Sequence, residues 1–410
     1  MKALRSRRIL GPGAVVIVAV LGLGILLTRQ APAAAPGGSY LQTNIVSDVK
    51  GTARVTDPQL INPWGLVAGQ GTPFWIADNN SGVSTLYTGA GAPFPGAPAS
   101  VTIPAPAGSA SNAAGAPTGV VFNGSSNFIV HQGTASGPSL FLFATEDGTI
   151  AGWSPAASVA SGIIAVDKSA EGAVYKGLAI AADSSQPRLF GANFRENTID
   201  VFDGNFQPVV NAGAFTDSTI PAQFAPFNIA NLNGKLYVTY AKQNGAKHDD
   251  VAGSGNGFVD VYDLNGKLLT RLIARGALDS PWGLALAPAS FGAFANDLLV
   301  GNFGDGKINA YDPVSGKLLG SLNDQHGKAL HSEGLWGLAF GNGPNAGDAN
   351  TLFFTAGIGG EKHGLFGSVQ PMAATGSPAT PAGTSTGATA PGSGSSGSTN
   401  SGSGPSGYGY

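Results

Sequence analysis

Residues 281–322 read Pro281-Trp282-Gly283-Leu284-Ala285-Leu286, a turn, Asn296-Asp297-Leu298-Leu299-Val300-Gly301-Asn302-Phe303, a Gly-rich turn, Lys307-Ile308-Asn309-Ala310-Tyr311, the turn Asp312-Pro313-Val314-Ser315-Gly316, and Lys317-Leu318-Leu319-Gly320-Ser321-Leu322. Each run is short and apolar or alternating, and each is bounded by Gly, Asn, Asp or Pro. That is the pattern of four strands joined by tight turns. The stretch is expected to form one blade of a β-propeller.

The same opening recurs as Pro63-Trp64-Gly65-Leu66, Pro117-Thr118-Gly119-Val120, Tyr175-Lys176-Gly177-Leu178, Pro226-Phe227-Asn228-Ile229 and Leu335-Trp336-Gly337-Leu338. The aligned positions 65, 119, 177, 228, 283 and 337 keep a near-constant period, which marks a repeat architecture, and a period near fifty with four strands per unit means blades. The sequence therefore predicts an all-β, six-bladed β-propeller of four-stranded blades. The last repeat runs out of strand after Gln370, whereas Tyr40-Leu41-Gln42-Thr43-Asn44-Ile45-Val46 precedes the first opening and has strand character. This N-terminal strand, about 40–46, is expected to complete blade six and close the ring, removing the exposed edges of an open array.

Several strings resemble those of a family of secreted bacterial six-bladed propellers of unassigned function, within the NHL and TolB-like group. They are Asn62-Pro63-Trp64-Gly65-Leu66, Phe143-Ala144-Thr145-Glu146-Asp147-Gly148-Thr149-Ile150, Tyr175-Lys176-Gly177-Leu178-Ala179, Lys247-His248-Asp249-Asp250-Val251 and Gly301-Asn302-Phe303-Gly304-Asp305-Gly306. The resemblance covers about residues 40–370 and implies the same fold. Some members of that family carry a PEP-CTERM sorting tail; this C-terminus has no Pro-Glu-Pro, no apolar helix and no basic end.

Composition agrees with one turn-rich β domain. Charged residues make up only 11% of the chain, and glycine alone contributes 63 residues of 410; a typical globular protein is about 25% charged. A net charge of -3 with scattered Lys and Arg argues against a nucleic-acid surface. The absence of cysteine excludes disulfides, thiolate metal sites and cysteine nucleophiles.

Three regions follow. Residues 1–38 read as a signal peptide or signal anchor plus a short linker: Lys2, Arg5, Arg7 and Arg8 precede an uncharged apolar run over 13–27, and Ala31-Pro32-Ala33 offers small residues for cleavage. The basic residues lie before the apolar run, with only Arg29 just after it, which places the propeller outside the cytoplasm: secreted, periplasmic or at the cell surface, and membrane-anchored where the segment is retained. Ser6-Arg7-Arg8-Ile9-Leu10 matches a twin-arginine signal in part. Residues 39–370 are the propeller. Residues 371–410 contain no charge and are nearly all Gly, Ser, Thr, Ala and Pro, a composition that cannot bury enough apolar surface to fold and reads as a disordered tail.

In a propeller the innermost strand starts, and the second strand ends, on one face of the disc. The column Asp78, Thr145, Asn193, Tyr240, Asn302 and Ala356 is therefore expected around one mouth of the channel, with Glu146, Asp147 and Asp305 just beyond and the insertion 242–257 bringing His248, Asp249 and Asp250. Side-chain oxygens from Asp78, Asn193 and Asn302 suit a hard cation such as calcium; the same residues at strand ends also hydrogen-bond their own turns. The recurring Trp64, Trp282 and Trp336 are read as wedges packed between neighbouring blades, since large aromatic area is chiefly a core contribution. His131, His326 and His331 fall in polar loops, and Glu361-Lys362-His363 reads as a solvated turn. Gly301 to Lys307 has the spacing of a phosphate loop but is followed by a strand, not a helix.

Two functions fit. One is a binding scaffold that recognises a small molecule, glycan or protein across the mouth through Asp78, Glu146, Asn193, Tyr240, His248, Asp250, Asn302 and Asp305. The other is a calcium-assisted hydrolase or lyase, lactonase-like by analogy of fold, with the metal on Asp78, Asn193 and Asn302 and with His248 or Asp249 as general base. No complete catalytic constellation is visible in the sequence, which favours binding.

Overall fold

A computed structural model describes residues 38–97, 99–182, 186–210 and 213–372. The expected leader and tail lie outside these residues, apart from their innermost ends.

The strands assemble as six small sheets in a ring. Blade one holds Pro63–Val67, Phe74–Asp78, Val83–Tyr87 and Ser100–Thr102, in that order outward. Blade two holds Pro117–Phe122, Phe141–Thr145, Thr149–Trp153 and Ile163–Asp167, with an added hairpin, Ile129–Gln132 and Ala135–Pro138, that the repeat pattern did not announce. Blade three shows three strands among the described residues: Tyr175–Ala182, Pro187–Asn193 and Thr198–Phe202. Blade four runs Phe224–Leu232, Lys235–Lys242, Phe258–Tyr262 and Leu268–Ala274, and blade five Pro281–Leu286, Leu298–Asn302, Ile308–Tyr311 and Leu318–Ser321.

Blade six closes the ring as expected. Its own strands are Leu335–Phe340, Leu352–Ala356 and Leu365–Pro371, and the N-terminal strand Tyr40–Ser47 pairs antiparallel with the last, from Tyr40 opposite Pro371 to Ser47 opposite Leu365. The third strand begins at Leu365, and Glu361, Lys362 and His363 lie in the turn before it.

The apolar side chains pack between blades, not around one centre. Leu142 and Ile150 of blade two meet Tyr175 and Leu178 of blade three in one buried cluster, and Leu299 and Ile308 of blade five meet Leu338 and Phe354 of blade six in another. At the hub the innermost strands approach so closely that a side chain does not fit. A Cβ on Gly65 would lie 2.6 Å from the carbonyl oxygen of Thr118, and one on Gly337 would lie 2.6 Å from that of Trp64. Blade four replaces the glycine with Asn228, whose amide donates to the carbonyl of Trp282 in the next blade at 2.8 Å.

Candidate functional site

Each blade carries a register shift where its innermost strand opens. In blade three, Tyr175 pairs with Asn193 and Gly177 with Ala192, so Lys176 is the extra residue. Corresponding shifts fall at 63/66, 226/228, 281/283 and 335/338, and opposite 117 in blade two. A bulge re-aims one side chain. Here it aims Trp64, Thr118, Lys176, Phe227, Trp282 and Trp336 at the hub.

The tryptophans accordingly do not wedge between blades. They converge: Trp64 stacks on Trp336 with centroids 3.5 Å apart, Phe303 stacks on the same Trp336 at 4.1 Å, and Trp282 stands edge-on to both tryptophans. With Phe194, Phe227 and Ala241 they form one buried cluster that acts as a septum across the channel. Away from the strand-end mouth the channel widens into a chamber of about 260 Å³, lined by Gly65, Gly119, Leu178, Asn228, Trp282 and Gly337 among others.

The expected column needs correction for the same reason of alternation. Asp78, Thr145, Asn193, Tyr240 and Asn302 are all buried and engaged within their own blades. Asp78 accepts from the backbone N–H of Thr85 at 2.9 Å, and burial holds its carboxyl well above the usual range. Asn193 donates to Asp200 at 3.2 Å and accepts from the backbone of Val174 and Glu196. Tyr240 shares a 2.7 Å hydroxyl contact with Tyr262, inside blade four. Asn302 donates to the carbonyl of Ala277 and to Asp305, which in turn accepts from Lys307. Asp78, Asn193 and Asn302 are thus held by hydrogen bonds within their own blades, while Asp78 Oδ1 and Asn302 Oδ1 stay buried without a hydrogen-bond partner among the described residues.

In a strand, successive side chains face opposite ways. The residues that reach the mouth are therefore the next ones along: Asn79, Glu146, Phe194, Ala241, Phe303 and Gly357. Three of them are in the aromatic cluster or packed on it, Gly357 lies against Asn62, and Asn79 and Glu146 carry the polar chemistry.

Lys176 organises that chemistry. Its side chain is 2% exposed, its ammonium pairs with Glu146 (14% exposed) and stands 3.6 Å from Asp249 (61% exposed), and it lies 5.0 Å above the ring of Trp64. Glu146 also accepts from Asn79 at 2.9 Å. Asn62 donates to Glu361 at 3.0 Å and accepts from the indole N–H of Trp336 at 3.1 Å, and it touches Asn79 at 3.5 Å. On the other side the 242–257 insertion folds back on itself, through Asn244 to Asp249 and Val251 to Lys242 backbone bonds, and Gly253 bonds Asp279. This presents His248, whose Nδ1 lies 2.7 Å from Asp249. A continuous belt, His248, Asp249, Lys176, Glu146, Asn79, Asn62 and Glu361, thus crosses five blades.

The belt sets its own charges. Burial pushes Asp249 up, but the bond to His248 and the charge of Lys176 outweigh it and leave the carboxyl below its ordinary value. Burial raises Asp250 against the pull of Ser280 and Lys176. Glu361 is raised by burial too, partly offset by Asn62 and reinforced by the charge of Glu146. The Nδ1 of His248 lies against the Asp249 carboxylate, which orients the ring. The structure therefore brings together Glu146, His248, Asp249 and Asp250 of the expected set and leaves Asp78, Asn193, Tyr240, Asn302 and Asp305 apart. Lys176, Asn79, Asn62 and Glu361 were missed. A lysine at a position that is otherwise mostly aromatic was the available signal. His131, His326 and His331 are exposed.

Fold and mouth together define a six-bladed β-propeller whose channel is closed by aromatic rings beneath a charged mouth. The chain belongs to the family of the uncharacterized protein R648 of Acanthamoeba polyphaga mimivirus, to which it is 34% identical over 331 residues, 79% of this chain and 78% of that protein. The uncharacterized mimivirus protein L690 is 32% identical over 332 residues, 79% of this chain and 84% of that protein. These relatives are viral and lend no support to the bacterial origin that the resemblance implies. No protein-family model matches the sequence. Among solved structures, a streptogramin B lyase is similar with a TM-score of 0.42 and 11% identity, over 81% of this chain and 97% of that one.

Proposed function

We propose that this protein is an extracytoplasmic binding propeller whose ligand, a small molecule, glycan or exposed protein segment, sits in the mouth above the septum. The observation that carries the reading is the belt itself. An ion pair taken out of water is a poor stabiliser compared with apolar packing of the same volume, yet here the buried Lys176 pairs with the part-buried Glu146 at the hub, extended by hydrogen bonds across five blades. Such a network preorganises donors and acceptors on a rigid scaffold, which is what recognition requires. The aromatic cluster closes the channel beneath these groups, so a ligand at the mouth would rest on it. The test is a thermal-shift screen of the purified 39–370 region against sugars, amines, carboxylates and peptides, repeated with His248→Ala and Asn79→Ala. A hit lost in both variants supports the reading; hits that survive both place the binding elsewhere and sink it.

The 2.7 Å contact between His248 and Asp249 favours a second reading, an acid–base hydrolase or lyase that works without a metal. An oriented imidazole with a free nitrogen is a competent general base. Turnover of a lactone or ester panel that disappears in His248→Gln would support it, and activity unchanged in that variant would remove it.

A further inference from the structure

We infer that Lys176 occupies the place of a divalent cation in this mouth, so that the site works with a fixed ammonium where it would otherwise hold a metal. The inference rests on the mouth being the binding site, but its test needs no ligand.

Glu146, His248 and Asp249 each bring one ligand-type atom within 4.8 Å of the other two, a spacing that one metal ion can bridge. Carboxylate oxygens and an imidazole nitrogen form a donor set for a first-row divalent ion such as zinc; calcium prefers oxygen alone. That cluster already contains a cation. The Lys176 ammonium pairs with Glu146 and lies 3.6 Å from Asp249, two of the three groups a metal would need. The aromatic rings of Trp64 and Phe194, 5.0 and 5.9 Å from the ammonium, give it the negative ring faces that favour a cation and fix its position from behind. A divalent ion seated beside it would have to share Glu146 and Asp249 with the ammonium and would be repelled by it at close range, in a partly buried setting where water screens little. The lysine's four-carbon stem comes from the bulge at the opening of blade three, so this cation is tethered and cannot be lost to chelators or dilution. The cation of this site is thus built in.

The experiment is a calorimetric titration with zinc, and separately with calcium, of the wild-type protein, Lys176→Met, Lys176→Gln and each combined with His248→Ala. The His248→Ala arm isolates this cluster from the other histidines. Wild type is expected to show no His248-dependent zinc binding. Lys176→Met, which keeps most of the stem's packing, is expected to bind zinc at least about tenfold more tightly than wild type, to lose that binding with His248→Ala, and to prefer zinc to calcium. Zinc should raise the unfolding midpoint of Lys176→Met and leave wild type unmoved. Zinc binding by wild type that depends on His248 overturns the inference, as does a folded Lys176 variant without such binding. Should neither variant fold alone, refolding in zinc decides: rescue supports the inference and failure overturns it. A failed ligand screen leaves this result standing, and a failed titration leaves the ligand screen standing, so the two readings are separable.

Discussion

The hydroxyl of Tyr40 donates to the carbonyl of Phe291 at 3.0 Å and accepts from the backbone N–H of Phe294 at 3.2 Å, so the closing strand of blade six is rooted in a loop of blade five. The tyrosine ring lies parallel to that of Phe294 with centroids 6.0 Å apart and is almost wholly buried. Tyr40→Phe removes both hydrogen bonds and keeps the ring; it should cost about 1–2 kcal/mol. Tyr40→Ala leaves a cavity as well and should cost about 3–5 kcal/mol. Urea unfolding of the 39–370 region measures both, and a Tyr40→Ala loss below about 1 kcal/mol would show that the anchor contributes little.

The hub predicts a steric penalty. A Cβ on Gly337 would meet the Trp64 carbonyl at 2.6 Å and Leu66 Cδ2 at 2.5 Å, where backbone has no room to yield. Gly337→Ala should therefore destabilise by about 1–3 kcal/mol, although alanine suits a strand better than glycine. A neutral or stabilising result in thermal unfolding would mean that the innermost strands can spread.

Blade four predicts a pH dependence. Burial, with the nearby charge of Asp217, raises Asp260 to about 6 despite its contact with Arg271. A carboxyl raised on folding stabilises below its unfolded value, and that contribution is lost as pH rises through the folded one. Stability from Asp260 should hence fall between about pH 4 and 7, by about 2–3 kcal/mol for a shift of this size. Asp217 is lowered, burial being outweighed by Thr219 and Arg271, so its contribution is lost only below about pH 4, a separate window. Asp260→Asn should flatten the curve from pH 4 to 7 in denaturant titrations; an unchanged slope there would refute the assignment.

Lys176 and Glu146 should be strongly coupled. Removing the lysine leaves a largely buried carboxylate without its cation, at a cost of about 3–5 kcal/mol. The double variant Lys176→Met, Glu146→Gln should lose clearly less than the sum of its parts, with a coupling energy of at least about 1 kcal/mol. Simple additivity in a double-mutant cycle would show that the pair is only apposed.

The ring was legible in the sequence because every blade opens on the same Trp-Gly-like motif at a steady period, and because Tyr40 to Val46 was the one strand-like run without a partner. The mouth was legible in part: Glu146, His248, Asp249 and Asp250 were named, whereas the expected strand-end column fell one position early. Asp78 and Asn79 are adjacent polar candidates, as are Thr145 and Glu146, and period two sends one of each pair to the mouth and the other into the blade. What selects between them is the register, set by bulges at residues such as Lys176 that leave no mark in a hydrophobic pattern. The tryptophans show the same limit: their burial was readable, but the same bulge turns them to the hub. Glu361 was hidden differently, because its partner Asn62 lies 299 residues away in sequence.

The clasp between Tyr40–Ser47 and Leu365–Pro371 also orders events in time. As the chain emerges in sequence, its earliest strand has to wait for its latest before the disc can shut, whatever the intervening blades have done. Contacts so distant in sequence slow folding. Until that pairing forms, the half-made disc presents a bare strand edge on either flank, open to the wrong neighbour. An interruption of synthesis just short of residue 365 thus yields a chain that holds most of its blades and still lacks the strand that shuts them into a ring.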